Sequence, residues 1–147
     1  MTTIADLFMQ YGRAGVYAAS PTQLDLASQS ATAINFDCWQ VVLSATETAP
    51  ALLRHIGQDL RFPQWYGENW DALADCLTDL SWSDADGFVL MLRGSAVLNA
   101  AQPMLWQTLI DMLGEVSSFW CENHVGFWIL ADDTDVGLPQ LPNGKAN

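Results

Sequence analysis

Positive charge is scarce in this chain: five Lys or Arg stand against seventeen Asp or Glu over 147 residues, a formal net charge of -12. A field of that sign repels phosphate backbones and anionic lipid headgroups. Nucleic acid and membrane surfaces are therefore poor direct ligands, and a basic protein or a metal ion is the natural counterpart. Histidine is scarcer still. His55 and His124 have no HxxH or HExxH pairing, so a zinc hydrolase has no frame. The cysteines Cys38, Cys76 and Cys121 are an odd set without CxxC spacing, which argues against a disulfide framework or a zinc knuckle and for reduced thiols in a cytoplasmic setting. Glycine-rich phosphate loops are absent, and Ser95 lacks the context of a nucleophile elbow. No apolar run approaches the ~20 residues that span a bilayer. Residues 1–10 carry Asp6 within a short apolar stretch and have no basic n-region, so they do not read as a secretory signal.

What is present is apolar: half of the residues, enough to bury a substantial core, with one domain over 1–147 as the expectation. A short strand is predicted from Gly15 to Ala18. Ser20-Pro21-Thr22-Gln23 then opens a helix, with Ser20 as cap, Pro21 at the first helical position and Gln23 completing a capping box, and the helix runs to about Ala33. Ile34, Phe36 and Cys38 alternate with polar residues, but the alternation changes phase at Trp39 before Val41 and Leu43. That predicts a strand, with a bulge as one explanation of the shift. Pro50 opens a helix carrying Leu52, Leu53, Ile56 and Leu60, and Phe62-Pro63 stops it. Asn69 is placed to cap a third helix to about Asp79. Phe88 to Leu92 reads as a strand covered on both faces, Pro103 to Glu122 as a long helix whose apolar stripe includes Trp106 and Trp120, and Val125 to Leu130 as the last strand. Helical crossovers require a parallel sheet with right-handed connections, so the fold class is α/β. From 132 to 147 the composition predicts a polar, flexible tail. Asp84-Ala85-Asp86-Gly87 and Asp132-Asp133-Thr134-Asp135 look like calcium-loop fragments without the full ligand series, and read as ordinary turns.

Between Arg61 and Arg93 no positive charge occurs, yet Glu68, Asp71, Asp75, Asp79, Asp84 and Asp86 do. On a helix, Asp71, Asp75 and Asp79 fall within an arc of about 80°, opposite Leu73, Leu77 and Leu80. The stripe costs the free protein a few tenths of a kcal/mol per like-charge pair, ~0.2–0.5. Charge pattern alone fits a solvated helix face. Trp65, Tyr66 and Trp70 crowd the same loop and first turn; aromatics beside acids serve as interface anchors, although Tyr66 and Trp70 are the stronger candidates for the core. Gly67 serves either a positive-φ turn or close approach by another chain.

The run Phe62-Pro63-x-Trp65-Tyr66-Gly67-Glu68-Asn69-Trp70-Asp71-Ala72-Leu73-x-Asp75-Cys76-Leu77-Thr78-Asp79 resembles the barstar family, the intracellular inhibitors of barnase-type ribonucleases. The resemblance implies a small parallel sheet of three strands packed with helices, to which the N-terminal segment offers a fourth. It covers about residues 33–131 and leaves 1–32 as an added strand and helix. It further implies an inhibitor, not an enzyme: a 1:1 complex with a basic, secreted-type ribonuclease, whose active site is plugged by this helix and loop, without metal or cofactor. Carried over by position, Trp65, Gly67, Asn69, Trp70, Asp71 and Asp75 are contacts, with Asp75 the central charge; Tyr66, Asp79 and Trp82 complete the candidate surface. The chain departs from the family pattern at Ala74, where a tryptophan is familiar, at Trp70, which replaces a leucine, and at Trp82, two positions beyond the usual aromatic. The acidic contact that the family supplies from a later segment has no evident counterpart.

Two other readings stand beside this one. The first is an immunity or regulatory module of the same fold whose partner is a non-ribonuclease toxin or another basic protein. The second is an enzyme using Glu68, Asp71 and Asp75 as metal ligands or as an acid/base pair.

Overall fold

The structure, a computed structural model, describes residues 3–45, 47–63, 66–133 and 137–142. In chain order the elements are α1 (Ile4–Phe8), a 3-10 turn (Tyr11–Arg13), β1 (Val16–Ala18), α2 (Pro21–Ala33), β2 (Phe36–Val42), α3 (Ala49–Asp59), α4 (Trp70–Asp79), β3 (Gly87–Arg93), α5 (Ser95–Ala101), α6 (Pro103–Glu122) and β4 (Phe127–Ala131). The capping box that opens α2 forms as the sequence predicts: Gln23 N donates to Ser20 Oγ over 3.2 Å, and Ser20 N to Gln23 Oε1 over 2.8 Å. The short helices α1 and α5 lie outside the sequence reading, although Thr3 and Asp6 form a capping box that opens α1.

All four strands are parallel, in the order β1-β4-β3-β2. The fourth, N-terminal strand is therefore present, at the edge beside β4. From β1 the chain crosses to the far edge, then returns through β3 to β4. Reversing the direction of travel under a fixed right-handed crossover places the connecting helices on opposite faces. The packing agrees. Leu24, Ala27 and Ala31 of α2 join Ile4, Leu7 and Phe8 of α1 over Phe36, Val89, Met91, Trp128 and Leu130. On the other face, α3 to α6 cover Val41, Phe88, Leu90, Leu92, Phe127 and Ile129.

Two covered faces also explain the phase change in β2. Its register with β3 is unbroken from Phe36↔Gly87 to Val42↔Arg93, so the bulge is not there. Phe36 and Cys38 simply pack toward α1 and α2, and Trp39 and Val41 toward α3 to α6. Apolar residues of both parities are what a strand buried on both faces carries.

The segment read as a flexible tail is corrected in part. Asp132 accepts from the backbone N–H of Gly94 at 2.8 Å and of Ser95 at 3.1 Å, capping α5. Further on, Ala18 N donates to Pro139 O over 2.8 Å and Leu141 N to Ala18 O over 2.7 Å, while Gln23 Nε2 reaches Leu141 O over 2.9 Å. Residues 139–141 thus close the outer edge of β1, and Leu141 is buried. Leu138 and Leu141, set among prolines and a glycine, have no periodicity to announce them, yet Leu138 packs against the larger core, Leu141 is buried, and two backbone bonds with one from the Gln23 side chain hold the segment.

No helix among the described residues is long and apolar enough to cross a membrane.

Candidate protein-binding surface

Helix α4 begins at Asn69, whose extended backbone (φ -133°, ψ 170°) lets its Oδ1 accept from Ala72 N over 2.8 Å. The cap satisfies one of the N–H groups that a helix start leaves unpaired and fixes where the first turn begins. Asp71 lies in that turn, where the helix dipole favours a carboxylate. Leu73, Cys76 and Leu77 are buried, and Leu80 ends the helix in the left-handed region with its N–H on Cys76 O. From α6, Trp120 Nε1 donates to Leu77 O over 2.7 Å and ties down the last turn.

This fixed rotation leaves Asp71, Asp75 and Asp79 exposed on the side away from the core. Among the described residues none of the three has a cationic partner; Arg54 pairs with Glu68, and the His55 imidazole contacts Glu47 and Asp59. Burial pushes the Cys76 thiol up, and the carboxylates of Asp75 and Asp79 push it further. The acidic stripe is thus felt inside the helix as well as outside it.

The loop ahead of α4 is held by the core rather than by the helix. Tyr66 hydroxyl donates to Leu53 O of α3 over 2.9 Å, and its ring stands edge-on to Phe62 with centroids 4.9 Å apart. Phe62 in turn meets Trp82 edge-on at 6.2 Å. Gly57 of α3 makes this seat: a Cβ there would lie 2.6 Å from the Tyr66 ring. Burial pushes the Tyr66 phenol well above its usual range, with Cys76 and Glu68 adding to the shift. The positive φ in the loop falls on Glu68 (53°) and not on Gly67, where a Cβ would lie 3.2 Å from Asn69 Nδ2 of the cap.

The candidate residues therefore divide. Gly67, Asn69, Asp71, Asp75 and Asp79 share an exposed surface, and Trp82 is exposed near the Phe62 ring. Tyr66 and Trp70 are half-buried and pack against the larger core, where they support the surface from beneath. Trp65 lies outside the described residues. Two supports were not anticipated, Gly57 and Trp120, nor was the exposed Arg54 Nε–Glu68 Oε2 contact at 3.6 Å, which is too weak to fix the loop. Of these only Gly57 had a signal, a glycine inside an otherwise helical pattern, which commonly marks close packing. Among the described residues no three His, Cys, Asp or Glu side chains could hold a metal ion together, so Glu68, Asp71 and Asp75 do not form a ligand set. His55 is half-buried, with Nε2 3.0 Å from Asp59 Oδ2 and Nδ1 3.9 Å from Glu47 Oε1.

No curated protein matches the chain. Among solved structures, the Aeropyrum pernix ORC2 protein (ADPNP-ADP complexes) is similar with a TM-score of 0.54 and 15% identity, over 90% of this chain and 40% of that one. At that identity the likeness concerns the fold alone. The family model described as "Barstar (barnase inhibitor)" matches residues 36–132, which take in β2 to β4, the loop and the whole acidic helix. With well over half of its length matched, and with the acidic helix and loop in the matched part, the chain belongs to the Barstar family.

Proposed function

We propose that this protein inhibits a basic ribonuclease of the barnase type by laying the exposed face of α4 and the loop before it across the enzyme's active site, in a 1:1 complex. The observation that carries the reading is the row Asp71, Asp75 and Asp79, fixed outward by a buried opposite face and left without cations among the described residues. Carboxylates in such a row substitute for substrate phosphates against Arg, Lys and His, and their field speeds encounter with a basic enzyme. Asp75, midway along the row, is the main charge. Asn69 and Asp71 flank it, and Trp65 is a further contact by the family resemblance. The chain acts by binding and supplies no catalytic group.

The test is titration of barnase activity with the chain, together with survival of cells co-expressing a toxic barnase-type nuclease. Stoichiometric loss of RNA cleavage is the expected result. Full activity of such enzymes at micromolar inhibitor would overturn the reading. One feature favours a narrower alternative within the same mode of action: Ala74 lies on α4 between the core and the acid row, where the family commonly has tryptophan. A smaller residue there alters the shape presented to the partner, so a basic toxin other than a ribonuclease is the second reading. It predicts a bound basic protein without RNA cleavage.

A further inference from the structure

Two of the chain's five basic residues, Arg54 and Arg61, line one groove of about 550 Å3 that runs beside the loop leading into α4. Arg54 and Gln58 are one helical turn apart on α3, and Arg61 follows just past its end with a φ of 56°. The three make a row of N–H donors along one wall. Gly57, Phe62, Pro63, Tyr66 and Glu68 complete the lining. Arg61 also lines a second groove of about 380 Å3 against Trp39 and Gln40 of β2. Among the described residues, the one ion pair of Arg54 is the 3.6 Å contact with Glu68, exposed on both sides, and Arg61 has none.

In a chain of net charge -12, two guanidinium groups at the rim of the acidic surface weaken its attraction for a basic partner. Their short-range use must be local. A guanidinium offers a planar fork of donors that fits a carboxylate, an exposed pair such as Arg54–Glu68 is weak enough to exchange, and a partner that covers the groove and its Phe62 and Tyr66 rings would exclude water and strengthen the new pair. We propose that this groove is a second contact of the same interface, of opposite charge to the first. It receives an Asp or Glu side chain from the rim of the basic partner's active site and so selects among basic partners. This rests on the proposed function, because continuity with the α4 surface is what brings the partner to the groove.

The experiment compares inhibition and dissociation rates for barnase with the unaltered chain, with Arg54→Glu/Arg61→Glu, with the neutral pair Arg54→Gln/Arg61→Gln, and with Arg13→Glu. Arg13 is an exposed control that follows α1 on the opposite face of the sheet. Overall charge alone predicts that each Arg→Glu change tightens binding to a basic enzyme. The groove contact predicts the opposite sign for the double reversal: dissociation faster by about tenfold or more despite equal or faster association, the same direction in the Gln pair, and no change in dissociation for Arg13→Glu. Tighter binding by the double reversal, or unchanged dissociation in both groove variants, overturns the inference while leaving the acidic-helix reading intact. Failure of the unaltered chain to inhibit, or indifference of inhibition to Asp75→Ala, removes the proposed function and this inference with it.

Discussion

The hydroxyl of Tyr66 donates to the carbonyl of Leu53 over 2.9 Å, and this bond fastens the loop before the acidic helix to the helix before the loop. The main chain of residues 66–69 therefore takes its position from α3. Helix α4 then inherits its starting point through the Asn69 cap.

Tyr66→Phe removes the donor and leaves Leu53 O without that partner, at a cost of about 0.5–1.5 kcal/mol in urea unfolding. The same variant carries a pH signature. The folded protein holds the Tyr66 proton more tightly than the unfolded chain does. Its contribution to stability is complete below the unfolded phenol value near pH 10, and is lost as pH rises through that value toward the higher folded one. Urea midpoints measured between about pH 9 and 11 should fall less steeply in Tyr66→Phe than in the unaltered chain.

Gly57→Ala introduces a Cβ 2.6 Å from the Tyr66 ring, which its hydroxyl bond keeps from swinging away. The expected loss is about 1–3 kcal/mol. Because the loop must shift to admit the methyl group, inhibition should weaken in a protein that still unfolds cooperatively. Unchanged inhibition with full destabilisation would separate the seat of Tyr66 from the binding surface.

Asn69→Ala deletes the cap and should cost about 1 kcal/mol, whereas Asn69→Asp keeps an acceptor and stays near the unaltered stability. Equal losses in the two variants, by thermal or urea melts, would show that the side chain stabilises by something other than capping.

Asp75→Ala is expected to leave stability unchanged or slightly raised, since it removes one member of a like-charge row on the free helix. Its complex should dissociate on the order of a hundredfold faster or more, the scale for stranding charges in a desolvated interface. Raising salt should slow association of the unaltered pair more than it changes dissociation.

Phe8→Ala opens the layer over Trp128, whose ring lies 5.2 Å from that of Phe8. A loss of about 3–5 kcal/mol is expected. A chain starting at residue 33 exposes Phe36, Val89, Met91, Trp128 and Leu130 together and should bind a hydrophobic dye and aggregate, as large bared apolar patches do. Soluble, cooperative folding of that shorter chain would show that the N-terminal segment is dispensable to the core.

Legibility differed between elements for physical reasons. The helix from Asn69 to Asp79 could be read with its cap, its buried leucines and its outward acids because all of that information is local: a capping side chain, a period of 3.6 and a charge pattern within ten residues. The long helix α6 and the buried strand β3 were legible on the same grounds. In β2 the local pattern suggested a bulge, because a period cannot say whether a second layer covers the other face. The tail differed for a related cause: Asp132, Leu138 and Leu141 are held by partners distant in the chain, which no local pattern announces.

By itself the sequence determined the α/β class, the acidic helix and, through the Trp65 to Asp79 run, the family that the wider match over residues 36–132 bears out. Only the tertiary structure decided that α1 and α2 cover the second face of the sheet, that Tyr66 and Trp70 turn inward as supports, and that Arg54 and Arg61 share a groove beside the acids. Caps, periods and charge rows act between neighbours in the chain. Layers, seats and grooves arise between residues that meet only when distant elements pack.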